Sequence, residues 1–293
     1  MNKNKLILIL AAVTILCIGC PSEPVGEPAN PAVKGYLPET ITNYYEEGEY
    51  GTSGAYIYKY EYDNLNRFKS IKEFYKFAED DAELVYESTF TYSSSGRLTG
   101  VTCIDHSYGD TDQVSFRYEG NSVFLWDDKF SWDDELELVL NDKQQIIKII
   151  VHFWGEEYYA LYYYDKQGNC IKVEAYDSGE IGDITKVEYD HMKGINSSIN
   201  MPPWFMFIDF RESGFSLHQS NNILRITDDY NYYYETFSYI YNDNGYPEKA
   251  SCNYNGIVLT SFTKNKTQRI NGRKKSIAID ESNYYIIEYI PVK

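Results

Sequence analysis

A chain of 293 residues with 27 basic and 44 acidic side chains, net charge −17, has no surplus of lysine and arginine to neutralise phosphates, which excludes a nucleic-acid binder. Its 31 tyrosines, more than twice the 14 phenylalanines, suit half-buried pleated surfaces, where the ring packs and the hydroxyl stays wet. Periodic runs of helix formers are scarce, so the fold class is all-β.

The first residues read MNKNKLILILAAVTILCIGC. Lys3 and Lys5 precede an apolar run, Leu6 to Ile18, that is short for a permanent membrane helix and has the shape of a secretory signal. Gly19-Cys20 supplies a small residue and a thiol where a lipoprotein peptidase cuts, and the segment resembles a bacterial lipoprotein signal, with Cys17 as its one departure. The resemblance implies a signal peptide over 1–19 and lipidation of Cys20. Pro21 in place of Asp favours the outer membrane, on its periplasmic or cell-surface side. Residues 20–40, rich in Pro and Gly, read as a flexible stalk, and 41–293 as one all-β repeat domain whose folded part starts near Ile41 or Tyr44.

Five stretches repeat one pattern: Tyr60–Ile71, Phe90–Val101, Leu138–Ile149, Tyr162–Val173 and Tyr239–Ala250. Each ends a strand on two large residues in period-two spacing, such as Tyr60 and Tyr62. Four residues follow that begin with Asp, Asn or Ser, which open a turn by bonding the backbone ahead of them. The fourth is Asn66, Gly96, Gly168 or Gly245, suited to a left-handed conformation, so a hairpin closed by a bulge is expected. Gln144 is the misfit, and the third copy is expected to be distorted. Phe68 and Ile71, and their counterparts, are three apart, so either a bulge intervenes or both faces are partly covered. Pro247 should sit at an edge or a bulge.

With acidic or Gly-bearing turns between repeats and no helix, the chain forms an antiparallel meander, one large curved or barrel-like sheet. One edge carries the repeat turns; the other gathers acids such as Asp80, Asp110, Asp112, Asp177 and Asp183. YEYDNLNRFKSI and FTYSSSGRLTGV resemble the YD repeats of Rhs-type shells, and with the leader and YNDNGYP the chain looks closest to uncharacterised YD-like hairpin-repeat lipoproteins of Gram-negative bacteria. The resemblance covers about half of the folded part and implies architecture, with no reaction or catalytic residue.

His191 to Phe215 breaks the pattern. Trp204, Phe205, Phe207, Ile208 and Phe210 make it apolar nearly all round, and a short helical or loop insertion near 196–215 is expected to plug the concave face of the sheet. Cys103, Cys170 and Cys252 are too few for a disulfide framework, and a Cys103–Cys252 bridge requires the sheet to close on itself. His106, His152, His191 and His218 lack metal-ligand spacing, Ser216 beside His218 makes no triad by itself, and neither a metal nor a cofactor is implied. The candidate ligand-binding residues are Trp126, Asp127, Asp128, Trp132, Asp133 and Asp134 of WDDKFSWDDELEL, where rings could stack on a sugar while acids accept its hydroxyls. The expected function is a lipid-anchored, non-catalytic binding or scaffold protein of the cell envelope, meeting the membrane only through its anchor, with a glycan or another envelope protein as partner. The alternative is a glycan-binding or glycan-cleaving surface protein using residues 126–135.

Overall fold

The computed structural model describes residues 35–47, 52–78, 80–127, 136–153, 156–207, 220–229, 234–254, 264–270, 273–279 and 283–292. In chain order the strands are β1 (Tyr36–Glu47), β2 (Thr52–Tyr62), β3 (Phe68–Phe77), β4 (Glu83–Tyr92), β5 (Leu98–Asp105), β6 (Asp110–Glu119), β7 (Ser122–Asp127), β8 (Leu136–Leu140) and β9 (Ile146–Phe153). The chain continues with β10 (Glu156–Tyr164), β11 (Cys170–Asp177), β12 (Glu180–Tyr189), β13 (Ile223–Asp228), β14 (Tyr234–Tyr241), β15 (Pro247–Tyr254), β16 (Lys264–Ile270), β17 (Arg273–Ile279) and β18 (Asn283–Pro291). All but β16 and β17 form one closed antiparallel barrel, in which β18 pairs with both β15 and β1 to shut the ring. β16 and β17 make a separate two-stranded sheet, with β17 against β14. The first strand starts at Tyr36, ahead of the expected start near Ile41.

Every repeat copy slips register at one place. Tyr62 faces Phe68, Tyr92 faces Leu98, Leu140 faces Ile146, Tyr164 faces Cys170 and Tyr241 faces Pro247, each across a bulge. This resolves the three-residue spacing: the bulge inserts a residue, so both Phe68 and Ile71 turn to the inside. Pro247 sits at such a bulge, where its missing donor does no harm.

The turns share one geometry. Asp63 N–H donates to the Arg67 carbonyl at 2.9 Å, and the Asp63 Oδ1 accepts from Leu65 N–H and Arg67 N–H at 2.8 and 3.0 Å. The fourth residue is left-handed in all five copies: Asn66, Gly96, Gln144, Gly168 and Gly245. The third copy is therefore not distorted, contrary to expectation. Asn141 Oδ1 accepts from Lys143 N–H and Gln145 N–H at 2.9 and 3.0 Å, and these bonds hold Gln144 at φ 60°. Glycine relieves that strain, so Gln144→Gly should raise stability by about 0.5–1 kcal/mol, read as a Tm higher by roughly 1–3 °C; a lower Tm would contradict a strained turn.

In three of the five patterns the second large residue is a tyrosine with a defined task, Tyr62, Tyr92 or Tyr164, while the third copy has Leu140 there and Tyr241 of the fifth donates to Asp190. A bulge removes a carbonyl from the strand ladder, and the tyrosine hydroxyl of the next hairpin donates to it. Tyr92 Oη reaches the Phe68 carbonyl at 2.7 Å, Tyr164 that of Ile146 at 2.6 Å and Tyr289 that of Pro247 at 2.8 Å. Tyr118 and Tyr189 do the same to Leu98 and Cys170 at 2.7 and 3.0 Å, and Tyr62 to Pro38 at 2.7 Å. Neighbouring turns are stapled as well, Arg67 Nη1 donating to the Gly96 carbonyl at 3.0 Å and Gln145 Nε2 to that of Gly168 at 3.2 Å.

The interruption at His191 lies inside a sixth repeat turn. Asp190 N–H donates to the Asn222 carbonyl at 2.9 Å, and Asp190 Oδ1 accepts from Met192 N–H and Asn222 N–H, as Asp63 does across its own turn. Tyr189 faces Ile223 across the same kind of register slip. Residues 191–221 thus stand where other copies have three. The inserted segment contains one 3₁₀ turn, Phe205–Phe207, and turns into the barrel. Trp204, Phe205 and Met206 are each 1% exposed; Trp204 meets Phe116 edge-on at 5.1 Å, and Phe205 meets Phe90 at 5.6 Å. Asn200 ties the segment to the first repeat turn through the Leu65 and Asn66 carbonyls, and Ser198 ties it to Tyr246 of the last. The expected plug is present over its described part; Ile208 and Phe210 lie outside the described residues.

Candidate functional site in the barrel lumen

The barrel has two walls of opposite character, because successive strand residues point to opposite sides. Along β2, Tyr58 and Tyr60 are buried inside while Lys59 and Glu61 are on the outside. The outer wall carries cations around the ring, among them Lys59, Lys72, Lys148, Lys172, Lys186 and Lys249. Several lie over outward aromatic rings, as Lys148 does over Tyr159 at 4.2 Å and Lys249 over Tyr284 at 3.9 Å. Others join acids: Lys172 and Tyr163 both bond Glu174, at 2.8 and 2.5 Å. Its bonds, to Lys172 first, hold the Glu174 carboxyl below its usual range, and the same contact pushes the Tyr163 hydroxyl up to about 12. A transmembrane barrel shows the reverse arrangement, an apolar belt outside and a polar lumen, and each Lys or Arg at the bilayer midplane would cost about 2–4 kcal/mol. The outer wall thus mixes lysines and carboxylates with exposed apolar side chains, among them Ile147, Ile171, Leu224 and Ile286.

The inner wall changes with depth. At the turn end it is sealed: Phe68, Leu98, Leu138, Ile146 and Cys170 are 0–1% exposed above the plug. Towards the opposite end each strand passes from apolar to polar. On β5 the inward series is Val101, Cys103, Asp105, and on β6 Phe116, Val114, Asp112; the last of each is half-buried. Glu73 on β3 pairs with inward Tyr86 and Tyr58, and is 8% exposed. On the far side, Asp228 ends β13 and Glu235, 4% exposed, faces Ile226 from β14. Cys252 is near Glu235: burial first, and that carboxylate second, push its thiol well above the ordinary range, which leaves it unreactive. Tyr56, Tyr75, Tyr86 and Tyr158, all inward and half-buried, complete a belt of rings and carboxylates.

Such a belt of rings and carboxylates has the chemistry to hold a ligand. Among the described residues no three His, Cys, Asp or Glu side chains gather as metal ligands. Cys103 Sγ lies 3.3 Å from Ser88 Oγ in the wall without a histidine base. His106 and His191 are exposed, while the side chains of His152, Ser216 and His218 lie outside the described residues. Cys103, Cys170 and Cys252 are free thiols although the sheet closes, so the bridge left open by the sequence does not form.

The tryptophan-and-acid segment is placed elsewhere. Trp126 is 48% exposed on the outer face of β7, opposite Ser115 of β6. Asp127 ends that strand, and Asp128, Trp132, Asp133 and Asp134 lie outside the described residues. Trp126 and the lumen belt are thus on opposite sides of one wall. The belt escaped sequence reading because its acids come singly from β3, β5, β6, β13 and β14; the available signal was a carboxylate in phase with buried residues, as Glu73 is with Ile71.

No family model matches the chain, and no curated protein does. Among solved structures it is similar to a porin-like protein from Bacteroides uniformis, with 10% identity, a TM-score of 0.42 and coverage of 86% of this chain and 96% of that one. A porin-like protein from Bacteroides vulgatus matches at 10% identity and a TM-score of 0.33, covering 87% and 99%. Likenesses this distant carry nothing about activity or membrane insertion.

Proposed function

We propose that this is a lipid-anchored, non-catalytic binding protein of the Gram-negative cell envelope, its barrel standing in water at the outer membrane. The observation that carries the reading is the contrast of the walls: lysines and glutamates recur among exposed apolar side chains outside, and apolar residues give way to tyrosines and carboxylates inside. A barrel built so needs another attachment if it is to stay at a membrane, and acyl chains on Cys20 supply it at about 0.8 kcal/mol per buried methylene. The shared turn geometry supports kinship with YD-like hairpin-repeat lipoproteins.

Metabolic labelling with an alkynyl fatty acid tests the anchor. The wild-type chain should take up label and sediment with outer membranes, and Cys20→Ser should lose both properties. A Cys20→Ser chain that still resists alkaline carbonate extraction would mean that the barrel itself is embedded, and the reading would fail.

A further inference from the structure

Each repeat bulge skips one residue in the strand pairing, and in ring order these are Lys69, Thr99, Ile147, Ile171, Leu224 and Glu248. Those on β9, β11 and β13 are apolar, and they are 40%, 42% and 39% exposed. Single exposed apolar side chains are ordinary. These three hold one equivalent position in three neighbouring hairpins, with exposed Tyr163 of β10 between the first two. The turns of the same arc carry exposed lysines, Lys143, Lys166 and Lys193, the last over the Tyr246 ring at 4.8 Å, with Asp142 as an exposed acid beside them. No other repeat copy combines an apolar bulge residue with a lysine in its turn. The opposite end of the barrel exposes Asp80, Asp81, Glu83, Asp177, Glu180 and Asp183. The charge is thus polarised along the strands.

The chain also enters the barrel at the turn end. β1 begins at Tyr36, the Val292 N–H donates to the Gly35 carbonyl at 3.0 Å, and the Tyr36 ring meets that of Tyr246, just past the turn at Asn242, at 5.7 Å. Residues 21–34 separate Gly35 from Cys20, a length that spans about 50 Å at full extension. Acyl chains on Cys20 therefore hold the turn end, and not the acidic end, nearest the bilayer, and contact between the arc and that bilayer becomes intramolecular. A net charge of −17 opposes approach to an anionic surface by the loop end, and the lysine arc is where the local charge matches such a surface. We propose that this arc docks on an anionic phospholipid surface, with Ile147, Ile171 and Leu224 entering the boundary between headgroups and acyl chains while Lys143, Lys166 and Lys193 meet the phosphates. The docking deepens the reading above and rests on its anchor: the barrel stays in water and leans on the membrane that tethers it.

Quenching by brominated lipids, measured on the full-length acylated protein, tests the docking. A thiol-directed fluorophore is placed at Gln167→Cys in the arc, at Ser94→Cys elsewhere on the turn end, or at Glu180→Cys at the loop end; all three positions are exposed, while Cys103 and Cys170 are buried and Cys252 is half-buried. The vesicles hold phosphatidylethanolamine and phosphatidylglycerol with brominated acyl chains. With the arc seated about 5–10 Å into the boundary, quenching at Gln167 should exceed that at Ser94 about twofold or more and be least at Glu180. The contrast should vanish when Ile147, Ile171 and Leu224 are all changed to Ser. It should fall by about half when phosphatidylcholine replaces phosphatidylglycerol, or in Lys143→Gln with Lys166→Gln, because the lysines act on lipid charge within a Debye length. Every substituted side chain is exposed, and a urea midpoint near that of the wild type verifies folding. Equal quenching at Gln167 and Ser94 means tethering alone and overturns the proposal. A blue shift at Gln167 without quenching means that another protein surface, such as a second copy, covers the arc, and overturns it too. Failure of the anchor reads separately, as missing fatty-acid label: the same contrast on an unacylated chain would keep the docking and remove the anchor, and its absence there would remove both.

Discussion

Raising the pH above 10 should unfold this barrel in one cooperative step. Burial is the first cause that raises the hydroxyl pKa of Tyr62, Tyr92, Tyr118, Tyr239, Tyr241 and Tyr289 well above 10. Tyr241 is raised further by Asp190, whose carboxylate accepts its hydrogen bond. Below the unfolded-state value both states keep these protons, and stability is complete. Above it the unfolded chain releases protons that the folded chain retains, so stability falls as pH rises towards the folded values. Each tyrosine contributes about 1.4 kcal/mol per pH unit, and six together about 8 kcal/mol per unit, a magnitude comparable with the whole stability of a domain. The midpoint is therefore expected between about pH 10.5 and 11.5. Phenolate absorbance and the far-ultraviolet dichroism of the strands should change together. A gradual phenolate titration with the strands intact would mean that the hydroxyl-to-carbonyl ladder is open to water.

How much of this architecture the sequence disclosed follows from what kind of signal each part emits. The turns were legible because Asp63 and Asn242 act on residues two and four ahead of them. Their bulges were not, since a spacing of three between Phe68 and Ile71 is equally compatible with a sheet covered on both faces; the pairing of Tyr62 with Phe68 decides it. Gln144 misled because a residue preference of about 1 kcal/mol is outweighed by the two bonds from Asn141 and the staple from Gln145. The sixth turn was hidden by distance, with Asp190 and Asn222 held together across the insertion, although Val187-x-Tyr189-Asp190 and Ile223-x-x-Ile226 match the other copies. The site was the least legible part. WDDKFSWDDE is conspicuous because its chemistry is local, and its one described tryptophan faces outward. The lumen belt is assembled one carboxylate per strand, and only closure of the ring gives those acids a common interior.

That interior depends on the inserted segment, and Trp204 is where the dependence can be measured. A sixteen-stranded barrel is wide enough to leave a channel when its wall is all there is. Here Trp204 packs edge-on against Phe116, Tyr118 and Phe205, while Tyr92, which seals the bulge at Phe68, also donates to Met201 Sδ at 3.2 Å. Trp204→Ala removes a ring that is 1% exposed and cannot be replaced by sliding a strand, because the Ser198 and Asn200 bonds fix the segment just ahead of it to the turns. The expected cost is about 3–5 kcal/mol of unfolding free energy, read in urea as a lower midpoint at unchanged slope. Trp126→Ala, on the outer wall at 48% exposure, should cost no more than about 0.5 kcal/mol. Equal costs at the two tryptophans would mean that the segment rests on the barrel without filling it. A large cost at Trp204 with a steeper urea slope would instead point to a change in the unfolded chain, so constancy of the slope is the part of the result that ties the loss to the lumen.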